Sequence, residues 1–382
     1  MQSSQPSDTL EAKIARFIVD LDVGSLTPEV RQGARWLMQD QLGVQIGCAG
    51  LPWSQQILSF VRTRHLPGKA RVAAHADRMS PGDAAFLNAS FGHGFEYDDA
   101  HRSSSSHPGC CVVPVSLAIG EEADASMGDV LLGLVAGYEV YTGIGMIAAQ
   151  QLLERGFHPH AMLANFGAAA VVAKMRGFDL ATTMHALAIA MSHCSGTTEY
   201  SSSGGSVKRV HSGIGALNGI RAAELAQAGI TGPAHFLTGK KGYFRTFLQK
   251  EVTLEHERLF APEAAFQIEK VWIKPHCCCG CNHANIDAAR QLAPWAAEIE
   301  RVVLGIQAGA NVVVGNSNEH AFAPTLIEHL QYSLPAQFAL ALLGRGNGFE
   351  THQDFMAGRL DLGAGSEVLE LIRRIAIVPR PE

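Results

Sequence analysis

Asn165 to Gly177 reads NFGAAAVVAKMRG, and this stretch decides the fold class. Small residues crowd Phe166 to Ala170, which lets backbones approach closely, so the helix belongs in a dense core. Gly177 supplies the left-handed stop, and Asp179 caps the next helix, which runs to about Cys194. Upstream, Thr27-Pro28 opens a helix through Ile46, and Ser80-Pro81 with Asp83 opens one through His93. Ser126 with Asp129 opens the long segment that carries GYEVYTGIG. Downstream, His211 to Ala228 reads as a helix ending at Gly229, with a short helix after Gly232-Pro233.

Beyond about Phe266 the texture changes. Glu300 to Gln307 and Asn311 to Val314 read as strands, whereas Ser333 to Leu343 and Val368 to Ile375 read as helices. The expectation is a mainly α protein: a large all-α helical domain over residues 1–265, carrying most catalytic residues, and a smaller α+β domain over 266–382. A length of 382 residues favours two cores over one. No repeat, low-complexity tract or heptad pattern interrupts this organisation.

Charge excludes several classes of function. A net charge of −6 gives no global basic field for nucleic acid or anionic lipid, so an anionic substrate needs a local cationic pocket. The N-terminal MQSSQPSDTLEAKIARF has acidic residues and no apolar signal core, which points to a cytoplasmic setting. Val130 to Tyr138, the most apolar run, is interrupted by Glu139 and falls short of the roughly 20 residues of a membrane span. It is expected to be a buried helix. The eight cysteines include the adjacent pair Cys110 and Cys111 and the cluster Cys277, Cys278, Cys279 and Cys281, and all are expected to be free thiols.

Four segments concentrate ionisable groups where a loop enters a helix. HGFEYDDAHRSSSSHPGCC holds His93, Glu96, Asp98, Asp99, His101 and His107; GFHPHAM holds His158 and His160. GGSVKRVHSGIG holds Lys208, Arg209 and His211, and IKPHCCCGCNHANID holds Lys274, His276 and His283. Helix N-termini offer free N–H groups and a positive dipole end, so each is a ready carboxylate site. Removing a proton next to a carboxylate builds charge on it, which fixed cations stabilise, and His or a desolvated Lys serves as base near neutral pH.

Each segment also has a plain alternative. A lone loop histidine such as His65, His185, His235 or His352 is more often solvated or capping than functional. Glu96, Asp98 and Asp99 would also serve as helix caps, and Ser103 to Ser106 as a flexible tether. CCCGC fits metal ligation poorly because adjacent side chains point apart, so small apolar filling is the default. The Gly204-Gly205 pair lacks a Walker pattern and a preceding apolar strand.

Together these motifs resemble the MmgE/PrpD family, which includes 2-methylcitrate dehydratase, cis-aconitate decarboxylase and iminodisuccinate epimerase. The resemblance rests on FEYDDAH followed by HPG, then GYEV, GFHP, SVKRVHSG with NGIRAAELA and GITGP, and KPHCCCGCNHANIDA, in that order over nearly the whole chain. It implies a helical domain with a smaller α+β lid, usually in a homodimer, working without metal or organic cofactor on a small polycarboxylate. It places His107, His158, Lys208 and His283 at catalytic positions, with Glu96 as an acidic active-site residue; among them Lys208 or His158 is expected as the base, His107 or His283 as the acid or anion binder, and Glu96 as the group that orients a histidine. Asp99, His211, Lys274 and Arg209 beside them are assigned to substrate binding.

Departures accompany the match. Ala100 stands where relatives often carry Thr, and Ala336 where many carry Tyr, which removes hydroxyls and argues for a substrate other than cis-aconitate. Relatives usually continue past the point corresponding to VPRPE, so the lid is expected to be shortened or the chain to be a fragment. The leading expectation is a hydro-lyase that abstracts a proton α to a carboxylate with loss of water. An iminodicarboxylate epimerase, a decarboxylase and, outside enzymes, a thiol-rich metal-binding or inactive scaffold protein are the alternatives.

Overall fold

The computed structural model describes residues 9–249, 258–261 and 264–380. The chain forms two compact units: the first holds the described residues up to Gly94 and Asp98–Ile273, and the second holds Phe95–Tyr97 and the chain from Lys274 onward. The sequence alone places the division at 265/266. The short strand β4 (Val271–Trp272) stays with the first unit because it pairs antiparallel with β3 (Ala100–His101).

The first unit is helical, and α2, α4, α6 and α8 begin at the caps that the sequence marks. Its helices are α1 (Leu10–Asp20), α2 (Pro28–Cys48), α3 (Pro52–Arg62), α4 (Pro81–His93), α5 (Gly109–Ala123), α6 (Met127–Glu154), α7 (Pro159–Met175), α8 (Leu180–Met191), α9 (Tyr200–Ser203) and α10 (Lys208–Gln227). Thr27, Ser80, Ser126 and Asp179 each accept a backbone N–H of the first turn, and Ser126 with Asp129 forms a reciprocal capping box. The strands β1 (Ala70–Arg71) and β2 (Arg78–Met79) form a small hairpin at its edge.

Small residues set the central contact. A Cβ on Gly215 would overlap Ala164, and one on Gly219 would overlap Ala168 and lie 2.6 Å from the Asn165 carbonyl oxygen. The pairs 215/164 and 219/168 rise together in number, so α10 runs parallel to α7. Both helices therefore start at the same end of the unit. Phe166, Ala168, Ala169 and Ala170 are fully buried there, as the composition of this stretch implies.

Two expectations in the first unit give way. The segment after Gly232-Pro233 forms turns rather than a helix, because the backbone N–H groups of Leu237 and Thr238 donate to Glu11 Oε1 at 3.0 and 2.8 Å instead of to a helical carbonyl. The apolar run from Val130 does not stop at Glu139. α6 has 28 residues and by length and composition is apolar enough to cross a membrane, but 89% of its apolar 18-residue stretch is buried inside the protein.

The second unit holds α11 (His283–Leu292), α12 (Ala308–Val314), α13 (Ile327–Gln331), α14 (Leu334–Leu342), α15 (Phe349–Met356) and α16 (Glu367–Ile372). Its strands β5 (Val302–Gln307) and β6 (Ile375–Arg380) pair in parallel, Val302 opposite Ile375. Asn311 to Val314 is helical, not a strand. Only Asn311 and Val314 of α12 are buried, one turn apart, and the Asn311 side-chain oxygen accepts the Asn316 N–H, which closes the helix end. The helix expected over Val368 to Ile375 ends at Ile372 and gives way to β6.

Glu139 explains how α6 tolerates a carboxylate in its core. Its Oε2 accepts the Gln267 N–H at 2.9 Å and Oε1 the Ile268 N–H at 2.8 Å, while burial pushes its pKa up from 4.5 to about 7. The folded state then holds a proton that the unfolded state has lost between those two values. Stability from this group is therefore fullest below pH 4.5 and falls as pH rises to 7, by up to about 3 kcal/mol. Urea unfolding of wild type and Glu139→Gln at pH 5 and pH 8 should show the wild-type advantage shrinking at the higher pH. A difference that does not change with pH rules this out.

Candidate active site

In the first unit, three helix starts and one loop supply the ionisable groups. The loop leaving α4 carries Asp98 and Asp99 and returns through His107 to α5; α7 begins just after His158, and α10 begins at Lys208. Neither α7 nor α10 has a side-chain cap at its N-terminus. Because the two run parallel, their positive dipole ends add at one end of the unit.

His107 is held in one tautomer. Its Nδ1 lies 2.7 Å from the Asp99 carbonyl oxygen, which can only accept, so Nδ1 carries a proton and in the neutral ring the lone pair is on Nε2. Asp99 in turn has both carboxylate oxygens engaged: Oδ1 accepts the Gly109 N–H at 3.0 Å and Oδ2 the Tyr138 hydroxyl at 2.6 Å. Its carboxylate thus braces the loop. Asp98 Oδ2 lies 2.7 Å from His93 Nδ1, and its Oδ1 lies 3.8 Å from His107 Nδ1. The His107 side chain retains 21% exposure.

His158 and His211 share a hydrogen bond between their Nδ1 atoms at 2.8 Å, with the rings 5.0 Å apart. One nitrogen donates and the other accepts, so the two rings cannot both be charged. Burial lowers the pKa of both, His211 to about 4 and His158 well below its usual value; neighbouring histidines push both the same way, and Lys208 adds to this at His211. Arg209 is buried with its guanidinium 3.3 Å over the Trp53 ring, and desolvation lowers its pKa to about 10.

The structure therefore brings His107, His158, Lys208 and His211 into one cluster and adds residues to which the sequence gave no site role. His93 lies at its centre, with ring centroids 4.3 Å from His160, 5.9 Å from His107 and 6.0 Å from His158. The Tyr141 hydroxyl lies 2.6 Å from His160 Nδ1. Cys110 Sγ lies 3.5 Å from His93 Nδ1 and 3.6 Å from His160 Nε2. The signal for His160 was its place two residues after His158; nothing local ties either to Cys110.

The second unit has its own cluster. Glu96 adopts a left-handed backbone, φ 56°, unusual outside glycine. Its Oε1 accepts the Tyr332 hydroxyl at 2.9 Å, its Oε2 lies 3.6 Å from Lys274 Nζ, and its carbonyl accepts from Lys274 at 3.2 Å. Tyr332, in the turn between α13 and α14, thus supplies a hydroxyl four residues before the buried Ala336. His283 opens α11, donates Nε2–H to the Cys278 carbonyl at 3.2 Å, and is lowered to about 4 by burial. The cysteine run divides: Cys277 and Cys278 are buried, whereas Cys281 is exposed. All eight cysteines are free.

The model of the MmgE/PrpD N-terminal domain matches residues 12–255, nearly two-thirds of the chain. The chain belongs to the MmgE/PrpD family. Among curated relatives, a cis-aconitate decarboxylase-like protein of Aspergillus oryzae is 28% identical over 308 residues, 76% of this chain and 62% of its own length. The cis-aconitate decarboxylase of Aspergillus terreus is 27% identical over 302 residues, with 76% and 61% covered, and that of Homo sapiens 28% over 241 residues, with 62% and 50% covered. The chain thus spans about three-fifths or less of the length of these MmgE/PrpD relatives.

Gly109 is where this loop can be tested. A Cβ there would sit 2.5 Å from both Asp99 Oδ2 and the Tyr138 hydroxyl, so Gly109→Ala must part a buried hydrogen bond. The expected loss is about 1–3 kcal/mol of unfolding free energy in chemical denaturation. A variant as stable as wild type would show that Asp99 is not clamped.

Proposed function

We propose that this MmgE/PrpD chain is a lyase that removes the proton α to a carboxylate of a small polycarboxylate and expels water. The held tautomer of His107 carries this proposal. With Nδ1–H on the Asp99 carbonyl, Nε2 presents its lone pair from a partly exposed ring, as a base needs. Once Nε2 takes the C–H proton, the Asp98 carboxylate 3.8 Å from Nδ1 offsets the charge on the imidazolium. That imidazolium is then the acid that hands its proton to the departing hydroxyl, which leaves as water.

Charge develops meanwhile on the substrate carboxylate. Lys208 and the uncapped starts of α7 and α10 supply positive potential fixed before reaction. His158, kept neutral by burial and tied to His211, is assigned as a hydrogen-bond donor rather than as the base. Glu96, Lys274 and His283 of the second unit remain proposed participants, as do the homodimer and the cytoplasmic setting.

Decarboxylation is the second reading, favoured by the names of the curated relatives. The same positive potential would stabilise the carbanion left by departing carbon dioxide. Incubation with citrate-like, aconitate-like and aspartate-derived acids in heavy water, followed by proton NMR, separates these outcomes. Dehydration gives a new alkene, and decarboxylation gives a product one carbon shorter and deuterated. Exchange alone points to an epimerase, and silence across the panel overturns the proposal. On the substrate so found, His107→Ala should lower kcat/KM by about 10²–10⁴-fold, and a loss within about threefold removes His107 from the base role.

A further inference from the structure

Cys279 and Cys281 stand two residues apart where the second unit turns into α11. Gly280–Asn282 is a single 3₁₀ turn, and Cys279 is its N-cap. A helical residue between two others holds their Cα atoms about 5.5 Å apart, which is the usual Cα separation across a disulfide. The backbone is fixed on either side of the pair: the Cys279 N–H donates to the Gln331 carbonyl at 3.0 Å, and the Cys279 carbonyl accepts the Asn282 N–H at 3.0 Å. Gly280 between them has no side chain and can absorb the backbone adjustment that closure demands.

The side chains follow the backbone. The Cys279 thiol is hydrogen-bonded to Cys281, and that bond, with burial, holds its proton on well above the usual thiol range. Cys279 is half-buried, whereas Cys281 is exposed. A reagent in solvent therefore meets Cys281 first, with a second sulfur already in contact behind it. The other two members of the run are set apart. The Cys277 thiol donates to the Phe95 carbonyl at 3.2 Å, and Cys278 packs in the second unit's apolar core, where burial pushes its pKa up to about 12.

We propose that Cys279 and Cys281 form a reversible dithiol–disulfide pair, oxidised by a low-molecular-weight disulfide or a peroxide. With glutathione disulfide, the Cys281 thiolate attacks one sulfur, forms a mixed disulfide and expels one glutathione thiolate. Cys279 then loses its proton to solvent, attacks the Cys281 sulfur and expels the second. Two protein thiols are oxidised, and one glutathione disulfide is reduced to two thiols. With hydrogen peroxide, Cys281 becomes a sulfenic acid as one water forms, and Cys279 displaces its oxygen as a second water. The ring so closed is small and strained, so excess dithiol reopens it. Closure ties the turn that ends on His283, the first residue of α11. The pair does not depend on the proton-abstraction chemistry.

The test uses the reduced, desalted full chain treated with glutathione disulfide, then with an alkylating agent, and read by mass spectrometry of the tryptic peptide Val271–Arg290, which contains all four clustered cysteines. Wild type should lose two hydrogen masses there, carry no glutathione, and regain both on addition of dithiothreitol. Cys279→Ser should stop with one glutathione on Cys281, Cys281→Ser should stay reduced, and Cys278→Ser should close as wild type does. A wild type that keeps both thiols or stops at the glutathione adduct overturns the proposal, a readout that needs no variant to fold. So does a Cys281→Ser chain that still closes, or a Cys278→Ser chain that fails to close while keeping the wild-type circular dichroism.

Discussion

The contact between α7 and α10 is the constraint on which the first unit's site depends. Two glycines on α10 lie against two alanines on α7, so the helix axes are as close as backbones allow. Only at that separation can His158, just before α7, reach His211, in the first turn of α10, at 2.8 Å. A larger side chain at 215 or 219 would force the helices apart and lengthen that bond beyond hydrogen-bonding range. The parallel direction matters equally, since it sends both helix dipoles to one end and sets Lys208 there.

Burial then decides what the histidines are. Five rings collected in a packed interior cannot all be imidazolium, and desolvation is the first cause of lowered pKa at His93, His158, His160 and His211. The protein gains a set of directionally hydrogen-bonded imidazoles: a carbonyl for His107 and a carboxylate for His93 each take an Nδ1–H, while His160 Nδ1 meets the Tyr141 hydroxyl. Asp98 and Asp99, adjacent in sequence, divide the work. One faces the rings and the other ties the loop to Tyr138.

Much of the helical unit was legible because capping is local. A Ser, Thr or Asp that accepts a first-turn N–H announces a helix within four residues, and each such start was found. Elements failed to read where distant partners overrode local preference. Three consecutive valines favour a strand, yet α12 forms because its burial repeats at one helical turn. The turns after Pro233 depend on Glu11, far away in sequence. The catalytic candidates of the first unit were legible as helix-entry histidines and a lysine, and they do converge. His93, Cys110 and His160 were not, since no spacing rule relates positions 93, 110 and 160.

The three residues Phe95–Tyr97 carry a consequence for how this protein can be built and rebuilt. The Phe95 carbonyl accepts from Gln331 Nε2 at 2.7 Å and from the Cys277 thiol at 3.2 Å, and Glu96 is bound by Tyr332 and Lys274. The second unit is therefore not a contiguous stretch of gene. A polypeptide beginning at Lys274 would lack the strand of chain its own glutamine, thiol, phenol and ammonium are shaped to hold, and would leave those donors in a cavity. Recombination, truncation or domain exchange at the apparent boundary would cut through a single folding unit, so the two parts are bound to be inherited together.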